Sequence, residues 1–116
     1  MLEETRAAGQ ASVYDLFRAR ALAQTDSMAL RSADSALTYG ALLSRVNQLA
    51  NHLAARGIGV GDRIAIMSRN RPEYLELELA AAAIGAIVAC LNWRLADKEQ
   101  AHCIQLVDPA IAVVDP

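Results

Sequence analysis

The sequence is poor in the groups that many activities require. Its 116 residues include two cysteines, three prolines and six glycines, 4% of the chain is aromatic, and neither sign of charge dominates. Eleven Lys plus Arg against thirteen Asp plus Glu give a net charge of -2 with no basic cluster, so nothing recruits nucleic acid electrostatically. Cys90 and Cys103 lack a Cys-x-x-Cys spacing or paired histidines. They read as free buried thiols, and no metal is assigned. The longest uncharged apolar run, Leu79 to Leu91, has thirteen residues and contains Gly85, short of the ~20 that a membrane-spanning helix needs. A buried helix followed by a buried strand accounts for it, and no transmembrane segment is expected. The opening MLEETRAAGQ has an acidic pair and no apolar run, unlike a secretory signal. A cytoplasmic chain is expected, with residues 1–10 disordered or extended and 11–116 forming a partial α/β domain.

What is present is the patterning of one globular domain, 54% hydrophobic and 21% charged. Ser12 to Asp15 reads as a capping box opening a short helix to about Gln24. Met28 to Arg31 and Ala36 to Thr38 flank the turn Ser32-Ala-Asp-Ser35 as a hairpin. From about Tyr39 to Arg56, Leu42, Val46, Leu49 and Leu53 fall on one helical stripe, with Thr38 as N-cap and Gly57 as the stop. Strand Arg63 to Ser68, helix Pro72 to Ile84, strand Ala86 to Leu91, helix Lys98 to Val107 and strand Ala110 to Val114 then alternate. Asn70 supplies a cap for the first of these helices and Asp97 can open the second. Alternation of this kind predicts a parallel sheet covered on both faces, with the last two strands fully buried.

The residues that could carry chemistry have structural explanations. Gly57-Ile-Gly-Val-Gly61 follows a helix and precedes a strand, the reverse of a phosphate-binding loop, so its glycines are turn residues. No Gly-x-Ser-x-Gly occurs, and Ser68 lacks an adjacent base. Glu73, Glu76 and Glu78 read as surface charges in the first turns of a helix, His52 as a solvated residue, and Arg69 and Arg71 as loop residues able to meet an anion. Asn92-Trp93-Arg94 is the exit turn of a strand. Its place at a carboxyl end makes Trp93 a candidate ligand-proximal residue, against packing on a neighbouring helix. No catalytic, cofactor-binding or metal-ligating residue is assigned.

Several stretches taken together resemble the N-terminal part of the AMP-forming acyl-CoA synthetases, in the adenylate-forming superfamily. They are Leu37-Thr-Tyr-Gly-Ala-Leu42, the turn and strand "GVGDRIAIMSRNRPE", the tract "GAIVACLNWRL" with Glu99 behind it, and "DPAIAVVD". The match runs from about Tyr14 to Asp115. It departs at Trp93, where the family often has proline, and at Ala96-Asp97, where a Thr-Pro helix start is frequent, so Asp97 would take over capping. The resemblance implies an N-terminal helix and short hairpin followed by βαβαβ units, part of an AMP-binding domain. It also implies a parent enzyme that uses ATP, magnesium and coenzyme A to turn a carboxylic acid into an acyl-CoA through an acyl-adenylate. The family's Ser/Thr/Gly-rich phosphate loop, acidic motifs and C-terminal lysine have no counterpart here. The implied role is therefore an inactive scaffold whose partner is the remainder of the enzyme. Two other readings stand beside it: a free-standing flavodoxin-like binding module, and an assembly protein. An unpaired sheet edge after the last strand predicts self-association.

Overall fold

The computed structural model describes residues 2–116, beginning with α1 (Leu2–Gln10) and α2 (Val13–Ala23). Helix α1 replaces the extended or disordered start expected from the sequence. LEETRAAGQ is rich in Leu, Glu, Ala, Arg and Gln, all strong helix formers. Ser12 caps α2 as its spacing predicts: Ser12 Oγ accepts from Asp15 N at 3.1 Å, and the Asp15 carboxylate accepts from Ser12 N at 3.1 Å. Strands β1 (Met28–Arg31) and β2 (Ala36–Thr38) pair antiparallel across the Ser32–Ser35 turn. Thr38 Oγ1 then accepts from Ala41 N at 3.2 Å and starts α3 (Tyr39–Ala55).

The remaining elements are β3 (Arg63–Met67), α4 (Pro72–Ile84), β4 (Ile87–Cys90), α5 (Asp97–Val107) and β5 (Ile111–Val114). They form a parallel sheet of order β4-β3-β5, with Ile64 opposite both Val88 and Ile111. The β3–α4–β4 crossover runs from the centre to one edge and β4–α5–β5 runs back across the sheet to the other, so right-handed connections put α4 and α5 on opposite faces. The α4 face is the filled one. There Leu42, Val46, Ala50 and Leu53 of α3 meet Leu77, Ala80 and Ala81 of α4 over Ile64 and Ile66.

The other face is thinly covered, which corrects the expectation of a sheet buried on both sides. No residue of α5 is buried, Leu106 is 70% exposed and Val114 is 60% exposed. Only β3 is enclosed; β4 and β5 are edges with exposed ends. An apolar run records that a strand has a partner to bury against, not that the partner lies within the same 116 residues. Cys90 ends edge strand β4 on the α4 face, beside Glu78, and is exposed rather than buried, while Cys103 is half-buried; both are free thiols. The radius of gyration, 15.6 Å, exceeds the ~13 Å expected for a closed domain of this length.

Two helix starts also differ from expectation. Helix α4 begins after Arg71, not Asn70, with Pro72 at its first helical position and no side-chain cap. Helix α5 has Ala96 at its N-cap, and Asp97 lies inside the first turn. Only the return half of a capping box forms there, because alanine has no acceptor: Glu99 Oε2 accepts from Ala96 N at 3.0 Å. The Gly57–Gly61 segment is the turn that its order predicts. Gly57 and Gly61 both have φ of 83°, and Ile58 between them anchors the turn in the core.

Candidate functional site

In an open parallel sheet, ligands sit beyond the carboxyl ends of the strands, because the loops leaving those ends diverge around the point where strand order reverses. Here β3 is that point, and three segments meet beyond it: Ser68–Arg71, Asn92–Leu95 and Asp115–Pro116. Main-chain bonds hold them in register, Leu91 N donating to Ile66 O at 2.8 Å and Asp115 N to Met67 O at 3.0 Å. Two clefts open at this edge. One of about 200 Å³ lies between Met67, Ser68, Arg69, Trp93, Gln100, Val114 and Asp115–Pro116. Its neighbour, about 650 Å³, is more polar and runs from Arg69 and Asp115 past Asn70–Glu73 to the Ser32–Ser35 turn.

Trp93 stands in the smaller cleft, 39% exposed, and its indole lies 5.0 Å from the guanidinium carbons of both Arg69 and Arg94. The ring quadrupole attracts both cations. Helix α5 takes hold of the exit loop through its backbone: Gln100 Nε2 donates to Trp93 O at 3.1 Å and to Leu95 O at 2.8 Å. Asn92 Oδ1 accepts from Arg94 N at 3.0 Å and tightens the same turn. Sequence reasoning placed Trp93 at the strand end but gave no sign that two arginines would converge on it. Arg69 lies far away in sequence, and register alone brings it alongside.

Arg71 is engaged differently. Its guanidinium bonds Asp115 across the loop and Glu73 in the first turn of α4 at 3.1 Å. These bonds, Asp115 first, raise its pKa above the ordinary arginine value. Glu73 is held below the usual carboxylate range, chiefly by its own backbone amide, as expected of an acid at a helix N-terminus. Among the described residues, neither Arg69 nor Arg94 has a carboxylate within ion-pair distance. Those two side chains are the groups at this edge suited to meet an anion.

Glu76 is not a surface charge. It is 5% exposed and faces α3, where both its oxygens accept from the Arg45 guanidinium, the longer bond being 3.2 Å. The helical stripe of α3 put Arg45 outside the apolar face correctly, but only the packing of α4 shows what it reaches. Ser68 Oγ donates to Arg69 O at 2.8 Å. His52 and His102 are exposed.

The ATP and magnesium implied by the resemblance do not fit the donors present. Helix α4 begins with Pro72, which has no N–H, followed by Glu73, and α5 begins with Asp97 and Glu99. A phosphate at either helix start would meet carboxylates rather than free amides. Among the described residues, no three His, Cys, Asp or Glu side chains are grouped to hold a metal ion, and no helix is long and apolar enough to cross a membrane.

Comparison with known proteins places these features. The AMP-binding enzyme family matches residues 17–116. A medium/long-chain-fatty-acid–CoA ligase of Mycobacterium tuberculosis, FadD6, is 35% identical over 106 residues, covering 91% of this chain and 18% of the relative. A feruloyl-CoA synthase of Amycolatopsis is 41% identical over 85 residues, covering 73% of this chain and 17% of its own length. Among solved structures, the N-terminal domain of FACL13 from Mycobacterium tuberculosis superposes with a TM-score of 0.86 at 28% identity, over 90% of this chain and 27% of that one. The chain spans less than a fifth of the length of these curated relatives, and it belongs to the AMP-binding enzyme family, as the N-terminal part of an AMP-binding domain.

Proposed function

We propose that this chain is the N-terminal scaffold of a cytoplasmic, AMP-forming acid–CoA ligase. The whole enzyme joins a carboxylic acid to ATP as an acyl-adenylate, releasing pyrophosphate, and then transfers the acyl group to coenzyme A, releasing AMP. The observation that carries this reading is the match over residues 17–116 to the AMP-binding enzyme family, with similar proteins named as a fatty-acid–CoA ligase and a feruloyl-CoA synthase. The inactivity of the segment alone is argued from the starts of α4 and α5, where carboxylates stand in place of free amides, and from the lack of a grouped metal-ligand set among the described residues. Its contribution is to hold β3 and its neighbours so that the strand-end edge, with Trp93 between Arg69 and Arg94, faces the remainder of the enzyme and its ligands.

Acid-dependent exchange of pyrophosphate into ATP tests both halves, using a panel of fatty and aryl acids. The 116 residues alone are expected to give no exchange, and the same chain extended through the coding sequence that follows Pro116 is expected to give it. Exchange by the short chain overturns the scaffold assignment. Failure of the extended chain with every acid overturns the ligase reading.

A further inference from the structure

Asp115 lies on the boundary between the two strand-end clefts, and Arg69 lines both of them with it. The carboxylate is nevertheless taken by Arg71, which reaches it from the start of α4. Arg69 instead rests on the Trp93 ring, with no carboxylate partner among the described residues. A guanidinium gains charge-assisted bonds from a carboxylate that an indole face does not supply. Of the two arginines at this edge that could take Asp115, the one that holds it is Arg71.

We infer that Arg71 is a positioning residue that acts by competition: by occupying Asp115 it leaves Arg69 stacked on Trp93, so the smaller cleft keeps an unneutralised cation on its wall. Glu73 assists by holding the other side of the Arg71 guanidinium at 3.1 Å. Without Arg71, the Asp115 carboxylate recruits Arg69, the stack on Trp93 opens and the cation on the wall of the smaller cleft is neutralised. An anchoring role is different. If the Arg71–Asp115 pair merely tied the end of β5 to the loop, removing either partner would have the same effect on the cleft. Competition predicts opposite behaviour for the two, since an amide at position 115 has no charge with which to draw Arg69 away. The inference stands on the geometry of this edge and does not require the ligase reading.

Trp93 is the chain's only tryptophan, so its fluorescence reports the stack directly. Emission maximum and iodide quenching are measured on the 116-residue chain and its variants, with circular dichroism to verify folding. Arg69→Gln supplies the reference signal for a lost stack. Arg71→Gln is expected to reproduce that signal, Asp115→Asn to match the unmodified chain, Arg71→Lys to match it as well, and the Arg71→Gln/Asp115→Asn pair to return to it. The inference is overturned if Asp115→Asn shifts the emission as far as Arg71→Gln, or if Arg71→Gln leaves it unchanged. Should Arg71→Gln fail to fold, Arg71→Met takes its place, with the same expected and overturning results.

Discussion

Substituting Gly85 by alanine tests how α4 is joined to β4. Gly85 closes α4 at φ 76°, ψ 15°, a left-handed conformation that costs a residue bearing a Cβ roughly 1–2 kcal/mol. A Cβ built there also meets Val60, at 2.9 Å from Cγ2 and 3.3 Å from Cα. Carbon atoms prefer about 3.5–4.0 Å, so the contact adds a steric cost on the order of 1 kcal/mol. The Val60 side chain is 90% exposed and can rotate away. Its backbone cannot, because Gly61 N donates to Gly85 O at 3.0 Å and draws the two segments together. Gly85→Ala should therefore destabilise the chain by about 2–3 kcal/mol, whereas Val60→Ala alone stays within about 0.5 kcal/mol. Combining the two should recover up to about 1 kcal/mol, the part that the Cγ2 contact contributes. Urea unfolding followed by circular dichroism at constant m-value reads all four stabilities. A Gly85→Ala loss below about 0.5 kcal/mol would refute the requirement for a left-handed cap. An additive double variant would refute the steric component.

Two further outcomes follow from ionisable groups. Removing Arg45 strands the carboxylate of Glu76, whose side chain is 7% exposed while that of Arg45 is 50% exposed. Because half of the pair is solvated, Arg45→Ala should cost about 1–2 kcal/mol rather than the 3–5 of a fully buried pair, and Arg45→Met with Glu76→Leu should cost less than Arg45→Ala alone, as a double-mutant cycle would show. Tyr74 is pushed up to about 12 from 10.0, first by burial and then by the neighbouring Cys90 thiol. Folding therefore favours the neutral phenol. Its contribution is complete below pH 10 and is lost as pH rises towards 12, so an ultraviolet titration of tyrosinate should show one late-ionising tyrosine that Tyr74→Phe removes.

Much of this architecture was legible because its signals are local. Ser12 and Thr38 start their helices through side-chain oxygens and Gly57 ends one through its left-handed backbone, all acting within a few residues, and the stripe through Leu42, Val46 and Leu53 follows from the helical period. What escaped was decided by distance in the chain. Glu76 looks solvated until α3 supplies Arg45, and Trp93 looks like an exit residue until β3 and β4 align Arg69 beside it. Cys90 failed because its apolar neighbours promised burial, whereas it ends edge strand β4 on the α4 face beside the exposed Glu78. The Asp97 cap failed locally, since Ala96 takes the N-cap and shifts every later residue by one position.

The uneven lamination of the sheet has a consequence for how the chain comes apart. Amides of β3 are bonded on both sides and sealed by α3 and α4, whereas β5 is bonded along one side and α5 buries no residue. Opening should thus begin as a peeling of α5 and β5 at low free energy, leaving α2, α3, α4 and β3 as the last unit to unravel. The strand-end clefts draw one wall from each side of that division, with Met67 and Arg69 on the durable part and Val114 and Asp115 on the part that peels. The site would then dissolve well before the fold that carries it.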